Sequence, residues 1–281
     1  MKTFETEKNA DLCEYLLDKY NGMLSYGRLM KLLREKDVKV NGKRTNKSVP
    51  LKKGDVIEVY YDGEKIAAPP VETLYADENI AICVKPARLG SEEFFKRVKA
   101  VYPTAIFTHR LDTNTRGIMF FALNETAYCE LYAGLKNRSF KKYYYCVVCG
   151  VVKKDGERLT GYLVKDENSG TVKVFDRKVK GSVEIITDYK VVTRGENSSL
   201  LKAELVTGRT HQIRAHLAHA GHFILGDGKY GDERINRAQK VKGQLLVSAE
   251  ITFCFKKDSP LYYFNERTFS IDCGYLKEKL F

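Results

Sequence analysis

Three short stretches of this 281-residue chain gather side chains able to do chemistry. The first is Thr108-His109-Arg110-Leu111-Asp112-Thr113-Asn114-Thr115-Arg116-Gly117, which runs directly into the apolar Ile118-Met119-Phe120-Phe121. Polar groups at the mouth of a buried strand sit at the end of a rigid element, where reactive groups are well held. The bland reading is a capped turn in which Asp112 and Thr115 satisfy backbone donors. The second stretch runs from Thr207 to His222 and carries four of the five histidines. Read as a helix beginning near Thr210, it places Ile213 and Leu217 on one face, Arg214 one position away, and His216 and His219 as neighbours. The third, Lys141 to Gly150, interleaves Lys and Tyr on a strand. That pattern suits stacking against bases, although tyrosine favours strands without any such role.

Other chemistries fit less well. A zinc site wants imidazoles at set spacing together with a thiolate or carboxylate. HEXXH is absent, and no Cys or acid is interleaved among the clustered histidines. Capping, packing or RNA contact is therefore expected of them, and no metal. Cys146 and Cys149 have C-x-x-C spacing but lie in an evident strand, where residues three apart face opposite ways, so packing is their expected role. Seven dispersed cysteines and an N-terminus without an apolar core segment predict reduced thiols, no secretory signal and a cytoplasmic protein. No apolar run is long enough to span a membrane. The net charge of +12 points to a polyanionic partner.

The elements that must position these groups divide the chain. From Arg28 to Lys53, ten Lys/Arg face only Glu35 and Asp37. Leu12, Tyr15, Leu16 and Tyr20 follow helical spacing. Ser25 is a candidate N-cap for a second helix with Leu29, Met30, Leu32 and Leu33 on its apolar stripe. Val38-Lys39-Val40 before Asn41-Gly42 predicts a hairpin, and Val56–Tyr61 a closing strand. The spacing predicts a small α/β module over residues 1–62, a linker over 63–72 containing a Pro pair, and a larger domain over 73–281. In the latter, strands are expected at 79–84, 118–123, 143–152, 171–174, 183–192, 200–205, 245–255 and 261–264. A helix is expected at 125–138, with Asn124 as its N-cap. Strands outnumber helices and do not alternate with them, which predicts an α+β fold with a mixed or antiparallel sheet.

The first module resembles the S4 RNA-binding domain, through Ser25, Arg28, Leu29, Leu32, Val38, Val40-Asn41-Gly42, Lys43 and Lys53-Gly54-Asp55. It departs at Asp37, where that domain usually has the glycine that ends its second helix. The three clusters, in this order, resemble the RluA family of RNA pseudouridine synthases. The family's H-R-L-D-x-x-T-S-G stands here as His109 to Gly117. Lys142, Tyr144, Cys146, Val148 and Gly150 match its second motif, and Thr207 to Leu217 matches the third without a break. Ile224-Leu225-Gly226-Asp227 and Lys229-Tyr230-Gly231 continue it. Three positions depart from the pattern: Arg116 replaces a small serine, Val247-Ser248-Ala249 stands where Leu-His-Ala is usual, and little beyond Lys85-Pro86 remains of a Lys-Pro-x-Gly pattern.

The resemblance implies an isomerisation. The N1–C1′ bond of a uridine breaks, the base turns, and C5 bonds to C1′, with no redox change and no cofactor. Asp112 is then the candidate catalytic carboxylate, attacking C1′ or taking a sugar proton. Burial would favour its neutral form, and the guanidinium of Arg214 would oppose that. Tyr144 would line the uracil pocket, with Ile213 and Val247 as apolar walls, and Arg110 would hold the displaced backbone of a flipped nucleotide or refill the gap it leaves. Arg28, Lys31, Arg34, Lys43 and Arg44 would grip phosphates. The implied partner is RNA, ribosomal or transfer, and the expected state a monomer. The rival readings are a non-catalytic RNA binder and a metal-dependent hydrolase built on His211, His216, His219 and His222.

Overall fold

A computed structural model describes residues 1–20, 24, 26–60, 70–166 and 170–280. Ser25 and residues 63–69 of the expected linker lie outside the described residues. The chain divides into two units: Met1–Val71 with Glu92–Pro103, and Glu72–Ser91 with Thr104–Phe281.

In the first unit, β1 (Lys2–Glu5) and β2 (Ala10–Asp11) lead into α1 (Leu12–Lys19), capped by Asp11, whose carboxylate accepts from Cys13 N–H and Glu14 N–H. Then follow α2 (Tyr26–Arg34), β3 (Val38–Val40), β4 (Lys43–Thr45), β5 (Pro50–Leu51) and β6 (Val56–Val59). Leu12, Leu16, Leu29, Leu33, Val38, Leu51, Ile57 and Val59 close one core. The hairpin turns at Asn41 and Gly42, both at positive φ, as an Asn-Gly turn requires. The left-handed residue that ends α2 falls one position before that of the usual glycine. Lys36, not Asp37, takes the left-handed conformation at φ 59°. Lys36 N–H donates to Leu33 O and Asp37 N–H to Leu32 O. This pair of bonds closes a helix with its left-handed residue one position before Asp37.

In the second unit, β7 (Glu72–Ala76) and β8 (Ile80–Lys85) precede α3 (Ser91–Val101), most of which belongs to the first unit. Next come β9 (Ile106–Phe107), β10 (Arg116–Ala122), α4 (Glu125–Lys136), β11 (Lys141–Cys149), β12 (Gly156–Asp166), β13 (Thr171–Phe175), β14 (Val183–Arg194), β15 (Ser198–Leu205), α5 (Gln212–His219), α6 (Glu233–Ala238), β16 (Leu246–Thr252) and β17 (Thr268–Ser270). Asn124 caps α4 as expected, its side-chain oxygen accepting from Ala127 N–H at 2.8 Å. The segment 261–264, expected as a strand, is instead a 3₁₀ turn at Tyr262–Phe264. Its backbone bonds are local, and Leu261 and Phe264, three apart, are the buried pair while Tyr262 and Tyr263 face out.

The strands form a mixed sheet in the order β13-β12-β14-β15-β11-β16-β10-β8-β7, with β17 on β16 and β9 on β10. This is an α+β fold. β10 and β16 run parallel, while the neighbouring ladders are antiparallel. Phe120, Phe140, Phe253 and Phe264 meet mostly edge to face in the core behind β10. The three central strands β11, β16 and β10 bring Tyr144 opposite Ser248, and Ser248 opposite Gly117. Gly117 has φ 142°, and a Cβ there would collide with the Ser248 carbonyl and side chain. The close approach of β10 to β16 therefore requires glycine at this position.

Candidate active site

Asp112 lies in the turn before β10, with Thr115 N–H donating back to Asp112 O at 3.0 Å. Its carboxylate is 24% exposed and accepts a 2.7 Å hydrogen bond at Oδ2 from Arg214 Nη1. Arg214 is on α5 and only 7% exposed. Its other edge is held by Asp227, which accepts from Nε at 2.7 Å and from Nη2 at 2.9 Å. A planar fork bound on two sides cannot rotate, so the guanidinium is aimed at Asp112 by Asp227. Burial works against the Asp227 charge. The two Arg214 bonds and the backbone donors of Lys229 and Tyr230 more than offset it, leaving the carboxyl below the usual carboxylate range. Arg214 is also disfavoured by burial, but the two carboxylates raise its pKa above the ordinary arginine value. Its guanidinium stacks 5.1 Å from the Tyr230 ring.

The loop carrying Asp112 is tied down from below. Lys85, at the end of β8, is fully buried. Its ammonium donates to Pro86 O at 2.9 Å, Leu89 O at 2.7 Å and Thr113 O at 3.2 Å. Burial pulls its pKa down to about 8, with Asp112 opposing. Ser91 Oγ accepts from Leu111 N–H at 2.9 Å and donates to Leu111 O at 2.7 Å. Gln244 donates to Thr115 Oγ1 at 3.0 Å. Each strap reaches the turn from a different part of the chain, so the carboxylate is preorganised.

Tyr144 is buried on β11, beside a register shift in the β11–β16 ladder, the kind of irregularity that re-aims a side chain. Burial pushes its phenol up to about 12, a hydrogen bond with Ser248 opposes this, and the Asp112 charge adds to it. Ile213 and Val247 are buried, on α5 and β16 respectively. Arg110 is exposed two residues before Asp112. Arg116 reaches the other way. Its guanidinium lies 3.7 Å from Glu72 and bonds Tyr275, so the cation that replaces a small residue is drawn away from Asp112.

The histidines are dispersed. His109 is the acceptor for Phe120 N–H at 3.2 Å and packs on the Phe120 ring, so it orients the turn from inside. His211 contacts Tyr230, His216 contacts Thr187, His219 contacts Asp176, and His222 contacts Cys149 O. Among the described residues no three His, Cys, Asp or Glu side chains converge. Gln212, between these histidines, bonds Thr207, Arg209 and Thr187 and fixes the approach to α5. Reading the sequence residue by residue missed Asp227, Tyr230, Lys85 and Gln244 as site residues. The Gly226-Asp227 and Lys229-Tyr230 pairs, continuing the third motif, were the available signal.

In the first unit, Lys31 and Arg34 are exposed on α2, Lys43 and Arg44 on the β3–β4 hairpin, and Arg28 is half-buried. Arg44 and Lys39 both lie over the Tyr60 ring, at 5.4 and 4.6 Å.

The profile of the family described as RNA pseudouridylate synthase matches residues 82–219, from β8 through the end of α5. The ribosomal large subunit pseudouridine synthase C of Vibrio cholerae is 31% identical over 231 residues, covering 73% of this chain and 72% of that protein. The chain belongs to the RNA pseudouridine synthase family. An uncharacterized RNA pseudouridine synthase of Aquifex aeolicus is 30% identical to this synthase over 257 residues, covering 81% and 79% of the two chains. The Haemophilus influenzae ribosomal large subunit pseudouridine synthase C aligns over 93% of this synthase and 88% of its own length at 29% identity. In fold, the synthase is similar to human RNA pseudouridylate synthase domain containing 1, at a TM-score of 0.59 and 22% identity, covering 74% and 93% of the chains.

Proposed function

We propose that this synthase isomerises uridines in large-subunit ribosomal RNA, with Asp112 as the nucleophile and without a cofactor. The observation that carries the reading is the clamp on Asp112. One carboxylate oxygen is bound by a guanidinium that a buried second carboxylate holds in place. Oδ2 is engaged by Arg214, so Oδ1 is the atom left for attack at C1′. Tyr144 would pack against the uracil ring, with Ile213 and Val247 behind it. Its hydroxyl, kept protonated by burial, suits a donor to the base better than a base taking the C5 proton. Arg110, at the loop surface, would hold the backbone of the flipped nucleotide. The names of the relatives from Vibrio and Haemophilus favour ribosomal over transfer RNA as the substrate.

Residues 1–62 would serve as an S4-like RNA grip, joined through 63–72 to a synthase domain over 73–281. Support comes from the exposed basic groups Lys31, Arg34, Lys43 and Arg44 on one helix and one hairpin, with Arg28 beside them. The chemistry is tested with RNA tritiated at uridine C5. The expected result is tritium release by the wild type, unchanged by EDTA, and none by Asp112→Asn, whose RNA affinity stays within a few-fold. Turnover by the Asn variant at the wild-type rate would overturn the nucleophile assignment. Mapping pseudouridines in total RNA with and without the protein identifies the substrate, and a site found in transfer RNA alone would overturn the ribosomal reading.

A further inference from the structure

A chain of hydrogen bonds through Tyr230 and His211 runs towards Asp112 and stops short of it. Val172 N–H donates to the Tyr230 hydroxyl oxygen at 2.8 Å. That oxygen lies 2.8 Å from His211 Nδ1. The phenol has one proton to give, and among the described residues Nδ1 is the acceptor within its reach. A neutral imidazole has one donor and one acceptor nitrogen, so an accepting Nδ1 leaves the proton on Nε2. Burial and the Arg214 and Lys229 charges favour the neutral ring, with Asp112 opposing. Nε2 faces Asp112 Oδ2 at 3.9 Å. This is too long for a direct hydrogen bond and spans the width that one oxygen atom fills when it accepts from Nε2–H and donates to the carboxylate. His211 holds a left-handed backbone at φ 54° at the start of α5.

The substrate offers such an oxygen. If Asp112 attacks C1′, the nearest hydroxyl is on the adjoining carbon, and a ribose 2′-hydroxyl both donates and accepts. We propose that His211 Nε2–H and Asp112 Oδ2 together bracket the 2′-hydroxyl of the target uridine, making His211 a substrate-binding residue that selects ribose over deoxyribose. This rests on Asp112 being the carboxylate that acts at C1′. Tyr230 is its positioning residue, acting through the tautomer it imposes.

The test is a cycle between protein and substrate. Single-turnover rates are measured with the full-length protein on a transcript of the mapped RNA segment, carrying either uridine or 2′-deoxyuridine at the target. Removing the 2′-hydroxyl also alters the reactivity of the C1′–N1 bond, but this is common to every variant and cancels in the cycle. His211→Ala is expected to slow the uridine substrate about tenfold, the value of one net hydrogen bond. It is expected to leave the deoxyuridine rate within about twofold of wild type. Tyr230→Phe keeps the ring over Arg214 and removes the proton that sets the tautomer, together with the acceptor of Val172 N–H. It is expected to show the same selective loss at smaller size, and it decides the matter if His211→Ala does not fold. Equal slowing of both substrates would overturn the proposal and leave His211 a structural residue, with Asp112 untouched. Full turnover by Asp112→Asn would instead remove the reading beneath it, and the proposal with it.

Discussion

At the scale of single residues, the site is a problem of holding charge indoors. Arg214 stands between two carboxylates of different kinds: Asp227 fully enclosed, Asp112 open on one side. Asp227→Asn keeps the shape but removes the charge that balances a buried guanidinium. Breaking such a pair costs about 3–5 kcal/mol. A loss of that order in urea denaturation is expected, with a fall in activity as the fork swings free, while Asp112→Asn should leave stability nearly unchanged. Two histidines, His216 buried and His109 partly buried against Phe120, predict the acid response. Burial lowers His109 to about 3 and His216 to about 4, below the ordinary value of 6.5. The unfolded chain therefore binds protons that the folded one refuses. Stability should be complete above pH 6.5 and fall as pH drops towards 4, by up to about 1.4 kcal/mol per pH unit per histidine. Denaturation midpoints between pH 7 and 4 measure this, and His216→Asn should flatten the curve. At the alkaline end Tyr144 acts in the reverse sense. Its phenol is raised to about 12, so its contribution holds below pH 10 and is lost between 10 and 12.

Elements carry the geometry. Gly117→Ala forces a methyl into Ser248 at a backbone angle that L-residues avoid. The parallel pairing of β10 with β16 should separate, at a cost of several kcal/mol and with loss of activity, read by thermal melting beside a turnover assay. Lys85→Met would leave three carbonyls without their buried donor and loosen the Asp112 turn, slowing turnover more than it weakens RNA binding. The sequence made much of this frame readable. Asn124 announced α4, Asn41-Gly42 announced its hairpin, and the apolar run before Ala122 announced β10, because each signal is local. The clusters around Asp112 and α5 were readable as polar groups against apolar surroundings. What stayed hidden was set by partners distant in the chain. Asp227 looks like a turn residue until Arg214 reaches it, and Lys85 reads as a surface lysine until three carbonyls enclose it. β12 escaped notice because its alternation is diluted by glycine and charge. Lys36 could not be foreseen as the left-handed residue, since what places it there is the pair of closing bonds to Leu32 and Leu33.

At the scale of the whole molecule, the surplus of positive charge governs the encounter with RNA, at +12 over the chain. With Lys31, Arg34, Lys43 and Arg44 replaced by Ala in the full-length protein, RNA affinity should fall and the slope of log affinity against log salt should shrink by roughly 3. Single-turnover chemistry at saturating RNA should be preserved. Filter binding across a salt series reads the first, and tritium release the second. An unchanged slope would assign the electrostatic grip to other residues. Point changes are preferable to cutting away the N-terminal segment, because residues 92–103 belong to the same unit and would lose its support.

Asp112 and Arg214 are 102 positions apart. Chains grow at roughly 5–20 residues per second, so the carboxylate is made about 5–20 s before the residue that restrains it. The β16 strand beside it arrives later still. With Asp112 as the acting carboxylate, a nascent synthase would hold its site unassembled until Arg214 and β16, both in the last third of the chain, have been translated.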